Sequence, residues 1–145
     1  MEIILAENHG FCYGVKRAVE MANEAANSDG KSYTLGPIIH NPQVVGRLES
    51  KGVIPIEEVS DIAEGTMIIR SHGVGPAIYE EAEEKGLNIL DATCPHVKKA
   101  QQDAKSVIED GMTLVILGEK NHPEVKSINL WANNKGIIIE DEESA

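Results

Sequence analysis

Apolar residues in this chain come in short continuous runs: Ile3 to Ala6, Tyr33 to Leu35, Met67 to Ile69, Asn88 to Leu90, Leu114 to Leu117 and Ile137 to Ile139. Their brevity and their content of Leu and β-branched residues predict strands buried on both faces. Between the runs, polar and apolar positions recur with a helical period, which predicts helices over 14–27, 41–50, 76–85, 95–109 and 123–132. Val15, Ala18, Val19 and Ala22 give the first helix its i, i+3, i+4, i+7 stripe. Pro76, Pro95 and Pro123 fall at first-turn positions, where a missing N–H is harmless. The pairs Asp29-Gly30, Lys51-Gly52, Lys85-Gly86, Asp110-Gly111 and Lys135-Gly136 each close a helix-like stretch before an apolar run. Glycine accepts the left-handed conformation that ends a helix, so these are predicted helix stops.

Alternating strands and helices predict an α/β fold with a mostly parallel sheet and right-handed crossovers. At 145 residues with 41% apolar content, the chain suits one compact domain or one and a half small α/β units. The acidic run Glu140-Asp141-Glu142-Glu143 reads as a solvated tail directly after an apolar strand. A core strand left uncapped at the end of a chain suggests a piece of something longer. Apolar surface from Leu114 to Leu117 or Ile137 to Ile139 is then expected to be exposed.

The net charge of −11 and pI of about 4.8 argue against nucleic acid or an anionic membrane as partner. Lys16-Arg17 and Lys98-Lys99, the adjacent basic pairs, read as solvated helix positions. No apolar stretch approaches the roughly 18 residues of a membrane span. The amino terminus has neither a basic n-region nor a long h-region, so a cytoplasmic location is expected. In that compartment two cysteines are not expected to form a structural disulfide.

Five polar motifs follow apolar runs: Gly10-Phe11-Cys12-Tyr13-Gly14, Gly36-Pro37-Ile38-Ile39-His40-Asn41, Arg70-Ser71-His72-Gly73, Asp91-Ala92-Thr93-Cys94-Pro95 and Asn121-His122-Pro123-Glu124. In a parallel sheet such loops converge on one crevice at the carboxyl ends of the strands, which predicts that Cys12, His40, His72, Cys94 and His122 open onto a common site. Cys12 and Cys94 are each placed at a helix N-terminus, where the helix dipole favours the thiolate that binds metals or attacks substrates. There is no CxxC, so a rubredoxin-like site or zinc ribbon finds no support. His40, His72 and His122 precede or open helices, and imidazoles with helix N-terminal amides can hold a phosphate or diphosphate. Each histidine taken singly reads more readily as a helix cap or as a packing residue in the crevice. Glu124 in a first helical turn could donate a proton, or merely stabilise the helix dipole. Neither GxGxxG nor GxxxxGK[ST] occurs, so nucleotide binding is unsupported, and one Phe with three Tyr offers no stacking platform for bases.

Taken in order and spacing, these motifs resemble the 4-hydroxy-3-methylbut-2-enyl diphosphate reductase family, iron-sulfur enzymes that end the non-mevalonate isoprenoid pathway. The resemblance runs along nearly the whole chain. It implies a three-lobed α/β protein around a 4Fe-4S cluster held by three cysteines, with reduced ferredoxin or flavodoxin as electron donor. The activity implied is reductive dehydroxylation of the substrate to isopentenyl and dimethylallyl diphosphate. Carried over by motif position, Cys12 and Cys94 would be cluster ligands. His40, His72 and His122 would hold the diphosphate or order the pocket, and Glu124 would supply the proton that lets hydroxide leave as water. Residues 1–13 would be a leading strand of the third lobe with the first cysteine loop, 14–94 the first lobe, and 95–145 an incomplete second lobe.

Two departures stand out. Family members run to about twice this length, with the third cysteine expected beyond Ala145, so this piece alone is expected to be inactive. After Val125 the family pattern expects a glycine where Lys126-Ser127-Ile128 stands. The competing reading is a non-catalytic α/β module that binds a phosphate-containing ligand through its histidine loops.

Overall fold

Met67, Ile68 and Ile69 have no exposed surface, and because successive side chains of a strand point to opposite faces, they divide the interior in two. Ile68 joins a cluster with Ala18, Ala22, Val44 and Leu48, whereas Met67 and Ile69 join Val59, Ile62, Val74 and Ala82. A computed structural model describes residues 2–7, 9–28 and 30–143. In it, α1 (Tyr13–Ala26) and α2 (Pro42–Glu49) supply the first cluster, and α3 (Pro76–Glu84) with the short 3-10 turn Val59–Asp61 supplies the second. Between them lies a parallel sheet of β1 (Ser32–Leu35), β2 (Val53–Ile56), β3 (Thr66–Ile69) and β4 (Asn88–Asp91), in the order β2-β1-β3-β4. Alanines at 18, 22 and 25 let α1 lie close on the sheet. Truncating a central side chain such as Ile68 to Ala is expected to destabilise by roughly 2–5 kcal/mol.

The remaining elements are α4 (Pro95–Glu109), β5 (Val115–Leu117), α5 (Pro123–Trp131) and β6 (Ile137–Ile139), with β5 and β6 paired in parallel as a separate two-stranded sheet. The helices match the expected spans within a residue or two, and the α/β class and parallel pairing are as expected. Prolines occupy the first turn of α2, α3, α4 and α5.

Several expectations need correction. Ile3 to Ala6 does not form a strand: the segment lacks regular structure, and Ile4 is 83% exposed. An extended segment becomes a strand only by pairing, and no described strand takes it as a neighbour. β2 is not among the predicted strands because it carries Pro55, which an edge strand tolerates. Burial on both faces holds for β3 but fails for β5 and β6, where Val115, Ile137 and especially Leu117, at 79%, are exposed.

The helix stop at Lys135-Gly136 is made instead by Asn133 and Asn134, at φ 53° and 58°. Gly136 serves close packing, since a Cβ there would lie 2.6 Å from Asn129 Oδ1 and 3.0 Å from Ile116 Cδ1. Asp29 of the first predicted stop, and residues 144 and 145 at the end of the expected second lobe, lie outside the described residues. The acidic end is not wholly solvated, because the Lys120 amide donates to Glu140 Oε1 at 2.7 Å.

Candidate functional site

Three loops at the carboxyl ends of β1, β3 and β5 bring His40, His72 and His122 together. Their ring centroids lie 4.4 Å apart for His40 and His72, 5.9 Å for His40 and His122, and 5.7 Å for His72 and His122. Each loop has a local cause. His40 precedes Asn41, whose side chain caps α2 by accepting the Val44 amide at 3.0 Å. His72 sits in a turn before α3, followed by Gly73 at φ 72°. Gly73 is required there twice over, since a Cβ would also collide with the Gln101 amide and meet Thr93 Cγ2 at 3.0 Å. His122 is itself the N-cap of α5, its Nδ1 accepting the Glu124 amide at 3.2 Å.

That last bond determines what the triad offers. With Nδ1 accepting, the proton of a neutral His122 ring sits on Nε2, which is then a donor. One ring nitrogen from each histidine falls within 4.8 Å of the others, a spacing that a divalent metal or an anion could bridge. A metal on Nε2 would require His122 to give up its cap bond, whereas an anion takes the Nε2 proton as it stands, so the geometry favours an anion. His72 titrates well below the ordinary imidazole, at about 4, because burial disfavours its cation and His40, Arg70 and His122 add repulsion. Its buried Nδ1 has no hydrogen-bond partner among the described residues.

The cysteines occupy the adjoining corner. Cys12 is the exposed N-cap of α1 and Cys94 the half-buried N-cap of α4, neither using its side chain to cap, and both are free thiols. Gly14 faces Cys94 directly, since a Cβ at Gly14 would lie 2.6 Å from Cys94 Sγ. This joins the Cys12 loop to the Cys94 loop. The Cys94 amide donates to Ser71 O at 2.9 Å, which joins the Cys94 loop to His72. The structure thus gathers His40, His72 and His122 as one triad and sets the two cysteine loops beside it. Cys12 departs from the expected pattern, because among the described residues no strand precedes its loop.

Arg17 and Lys98, read from sequence as solvated, are structural ties. Arg17 donates to Thr93 O at 3.2 Å and Asp91 O at 3.4 Å, fastening α1 to the Cys94 loop. Lys98 pairs with Asp91 Oδ2 at 2.6 Å, while Tyr79 donates to the same oxygen and the Thr93 amide to Oδ1. Burial pushes the Asp91 carboxyl up, but Lys98, Thr93 and Tyr79 outweigh it and hold the group below its usual range.

Glu124 stands half-buried in the first turn of α5, two residues from His122. Below it Ser127, buried in the segment where a glycine is expected, holds its one hydroxyl proton within reach of His72 O at 2.7 Å and Glu124 O at 2.9 Å. Gln101 of α4 donates to the same hydroxyl at 3.3 Å. Ser127 and Gln101 link α4, α5 and the His72 loop, and nothing in their local sequence marks them, because the partners lie 55 and 26 residues away. Arg70 was visible only as part of the His72 motif.

A sequence model of the family described as LytB protein matches residues 3–145. The 4-hydroxy-3-methylbut-2-enyl diphosphate reductase of Geobacter metallireducens is 52% identical over the whole chain, which covers 51% of that protein. The protein of the same name from Caldanaerobacter subterraneus subsp. tengcongensis is 50% identical, again over the whole chain and 52% of the relative. The chain spans about half the length of the curated relatives it matches. Among solved structures, one of (E)-4-hydroxy-3-methyl-but-2-enyl diphosphate reductase, described as the terminal enzyme of the non-mevalonate pathway, superposes with a TM-score of 0.83 at 49% identity, over 97% of this chain and 52% of that one. The E-1-hydroxy-2-methyl-but-2-enyl-4-diphosphate reductase of Plasmodium falciparum gives 0.91 at 33% identity, over 95% of this chain and 44% of that one.

Proposed function

Because this chain belongs to the LytB protein family, we propose that it carries the diphosphate-binding and proton-donating half of a 4-hydroxy-3-methylbut-2-enyl diphosphate reductase. The observation that carries this reading is the histidine triad, with His122 turned by its own helix cap to present an N–H. The reaction breaks an allylic carbon–oxygen bond. Two electrons and two protons enter, the hydroxyl leaves as water, and the products are isopentenyl and dimethylallyl diphosphate.

In this reading His40, His72 and His122 bind the diphosphate and so place the hydroxyl-bearing carbon at a fixed reach from the triad. Glu124 holds the proton for the departing oxygen, since hydroxide is a poor leaving group and water a good one. The helix that orients His122 also carries Glu124, so the binding and protonating groups share one rigid element. Cys12 and Cys94 would hold a 4Fe-4S cluster. Their fit is supported by two free thiols on joined loops, each at a helix N-terminus whose dipole favours thiolate. When bound, such a cluster supplies the electrons, drawn from reduced ferredoxin or flavodoxin in the cytoplasm. We read residues 14–94 as one lobe and 95–145 as part of a second.

Among the described residues no helix is long and apolar enough to cross a membrane. The test is anaerobic iron-sulfide reconstitution of the assembled enzyme containing this chain, followed by reductase turnover. Wild type should take up iron and reduce the substrate. Retained diphosphate binding without iron uptake or turnover would instead describe a non-catalytic phosphate-binding module.

A further inference from the structure

The triad poses an electrostatic problem. Three imidazoles with ligand atoms within 4.8 Å cannot all carry protons without strong mutual repulsion, and His72 is already biased to its neutral form. Neutral imidazoles donate hydrogen bonds but bring no charge. A diphosphate bears several negative charges, and the chain itself carries −11. A fixed cation beside the triad would offset that charge whatever the protonation of the rings.

Arg70, at the end of β3 and two residues before His72, is such a cation, because guanidinium stays protonated in proteins. Its position is built rather than incidental. Gly36 leaves room for it, since a Cβ at Gly36 would lie 2.7 Å from Arg70 Nη1. With Gly36, Glu57, Gly73, Pro123 and Lys126 it lines a cavity of about 260 Å³ that runs under the loops carrying His72 and His122. Arg70 is half-buried, and a buried polar atom of a residue kept only for the fold is expected to be hydrogen-bonded. Arg70 makes no ion pair within 4.0 Å among the described residues, its buried Nε has no hydrogen-bond partner, and Glu57 reaches it only through space. Its positive charge is felt at His72.

We propose that Arg70 is a positioning residue of the anion site, whose guanidinium, seated in the cavity under the His72 and His122 loops with no ion pair among the described residues, supplies a fixed positive charge that helps the triad receive a diphosphate. This rests on the reading of the triad as the diphosphate site. Arg70 acts through His72 and the local potential and does not touch the anion. Glu57, the carboxylate that offsets it, tunes that potential in the opposite sense.

The test is calorimetric titration of the chain with inorganic diphosphate at low salt, in the wild type and the variants Arg70→Gln, Arg70→Lys and Glu57→Gln. Arg70→Gln should bind about tenfold more weakly, Arg70→Lys should restore most of the affinity, and exposed Glu57→Gln should bind about two- to fivefold more tightly. Without any ligand, the NMR titration midpoint of His72 should rise in Arg70→Gln, a change that a purely packing role would not produce. Should Arg70→Gln fail to fold, Glu57→Gln and the His72 midpoint in Arg70→Lys still decide, the latter staying near its wild-type value. Wild-type affinity in Arg70→Gln, or equal weakening by Gln and Lys with an unmoved His72 midpoint, would overturn the proposal. A wild type that binds no diphosphate would defeat the reading of the triad itself, whereas wild-type binding indifferent to residues 70 and 57 would defeat only the role of Arg70.

Discussion

His72 and His122 are fastened from several directions: a helix cap, the Ser127 hydroxyl, the Gln101 amide and a glycine that admits no side chain. Cys12 and Cys94 differ in that their side chains are freer: both are helix N-caps whose thiols make no cap bond, and Cys12 is exposed, although the Cys94 backbone is tied in. The two corners share a border through the Cys94 amide and Ser71 O, at 2.9 Å. The difference suits the ligands we propose for the two corners. An anion is met by donors that must already point inward, because reorienting them on binding would consume much of the affinity. A thiolate can be drawn into place by the metal it ligates, since metal binding is coupled to the ordering of its site.

The comparison breaks most sharply on the cysteines. In the assembled enzyme Cys94→Ser or Cys12→Ser should abolish iron uptake and turnover completely, while diphosphate binding persists. Iron analysis beside calorimetry checks this, and full iron content in either variant would remove the residue from the cluster. Next in size is Glu124→Gln. Loss of a positioned general acid typically lowers turnover by about 10²- to 10⁴-fold, whereas loss of a helix-terminal carboxylate costs only about 0.3–1 kcal/mol of stability. Steady-state kinetics together with melting curves separate the two roles.

Smaller effects probe the joints between the corners. Gly14→Ala sets a methyl 2.6 Å from Cys94 Sγ, so it should destabilise by about 1–3 kcal/mol and weaken cluster retention while leaving diphosphate affinity near wild type. Ser127→Ala removes the hydroxyl bond to His72 O and should cost about 1 kcal/mol by urea unfolding, with a loss of diphosphate affinity that Gly14→Ala does not share.

Smallest is a pH effect. His72 binds its proton near pH 4 when folded and near 6.5 when unfolded, so the unfolded chain holds more protons between those values. The contribution of His72 to stability is fully present above pH 6.5, declines as pH falls, and is gone below about 4. Unfolding free energy measured across that window should show a slope that His72→Gln reduces, and identical slopes would contradict the assigned shift.

Much of this was legible in the chain. Glycine stops, first-turn prolines and short apolar runs located five helices and most strands, because those signals act within a few residues. Where the reading went astray, the deciding partner was remote or missing. Ile3 to Ala6 has the composition of a strand but no strand beside it among the described residues, and β2 hides behind Pro55 at a sheet edge. The histidines could be named from their loops, but their convergence, the tautomer of His122 and the suppressed protonation of His72 depend on contacts between distant segments. Gln101, Ser127 and Arg70 belong to that class too, with side chains whose roles are set by what folds against them.

We propose that the histidine corner forms an anion site independently of the cysteine corner. Calorimetric titration of this chain with inorganic diphosphate, in the wild type, His72→Ala and the double variant Cys12→Ser with Cys94→Ser, tests it most directly. Losing a hydrogen bond to a charged group is worth about 1.5–3 kcal/mol, so His72→Ala should bind on the order of 10- to 100-fold more weakly while the double cysteine variant binds as wild type. Binding unchanged by His72→Ala, or lost with the two cysteines, would contradict the account.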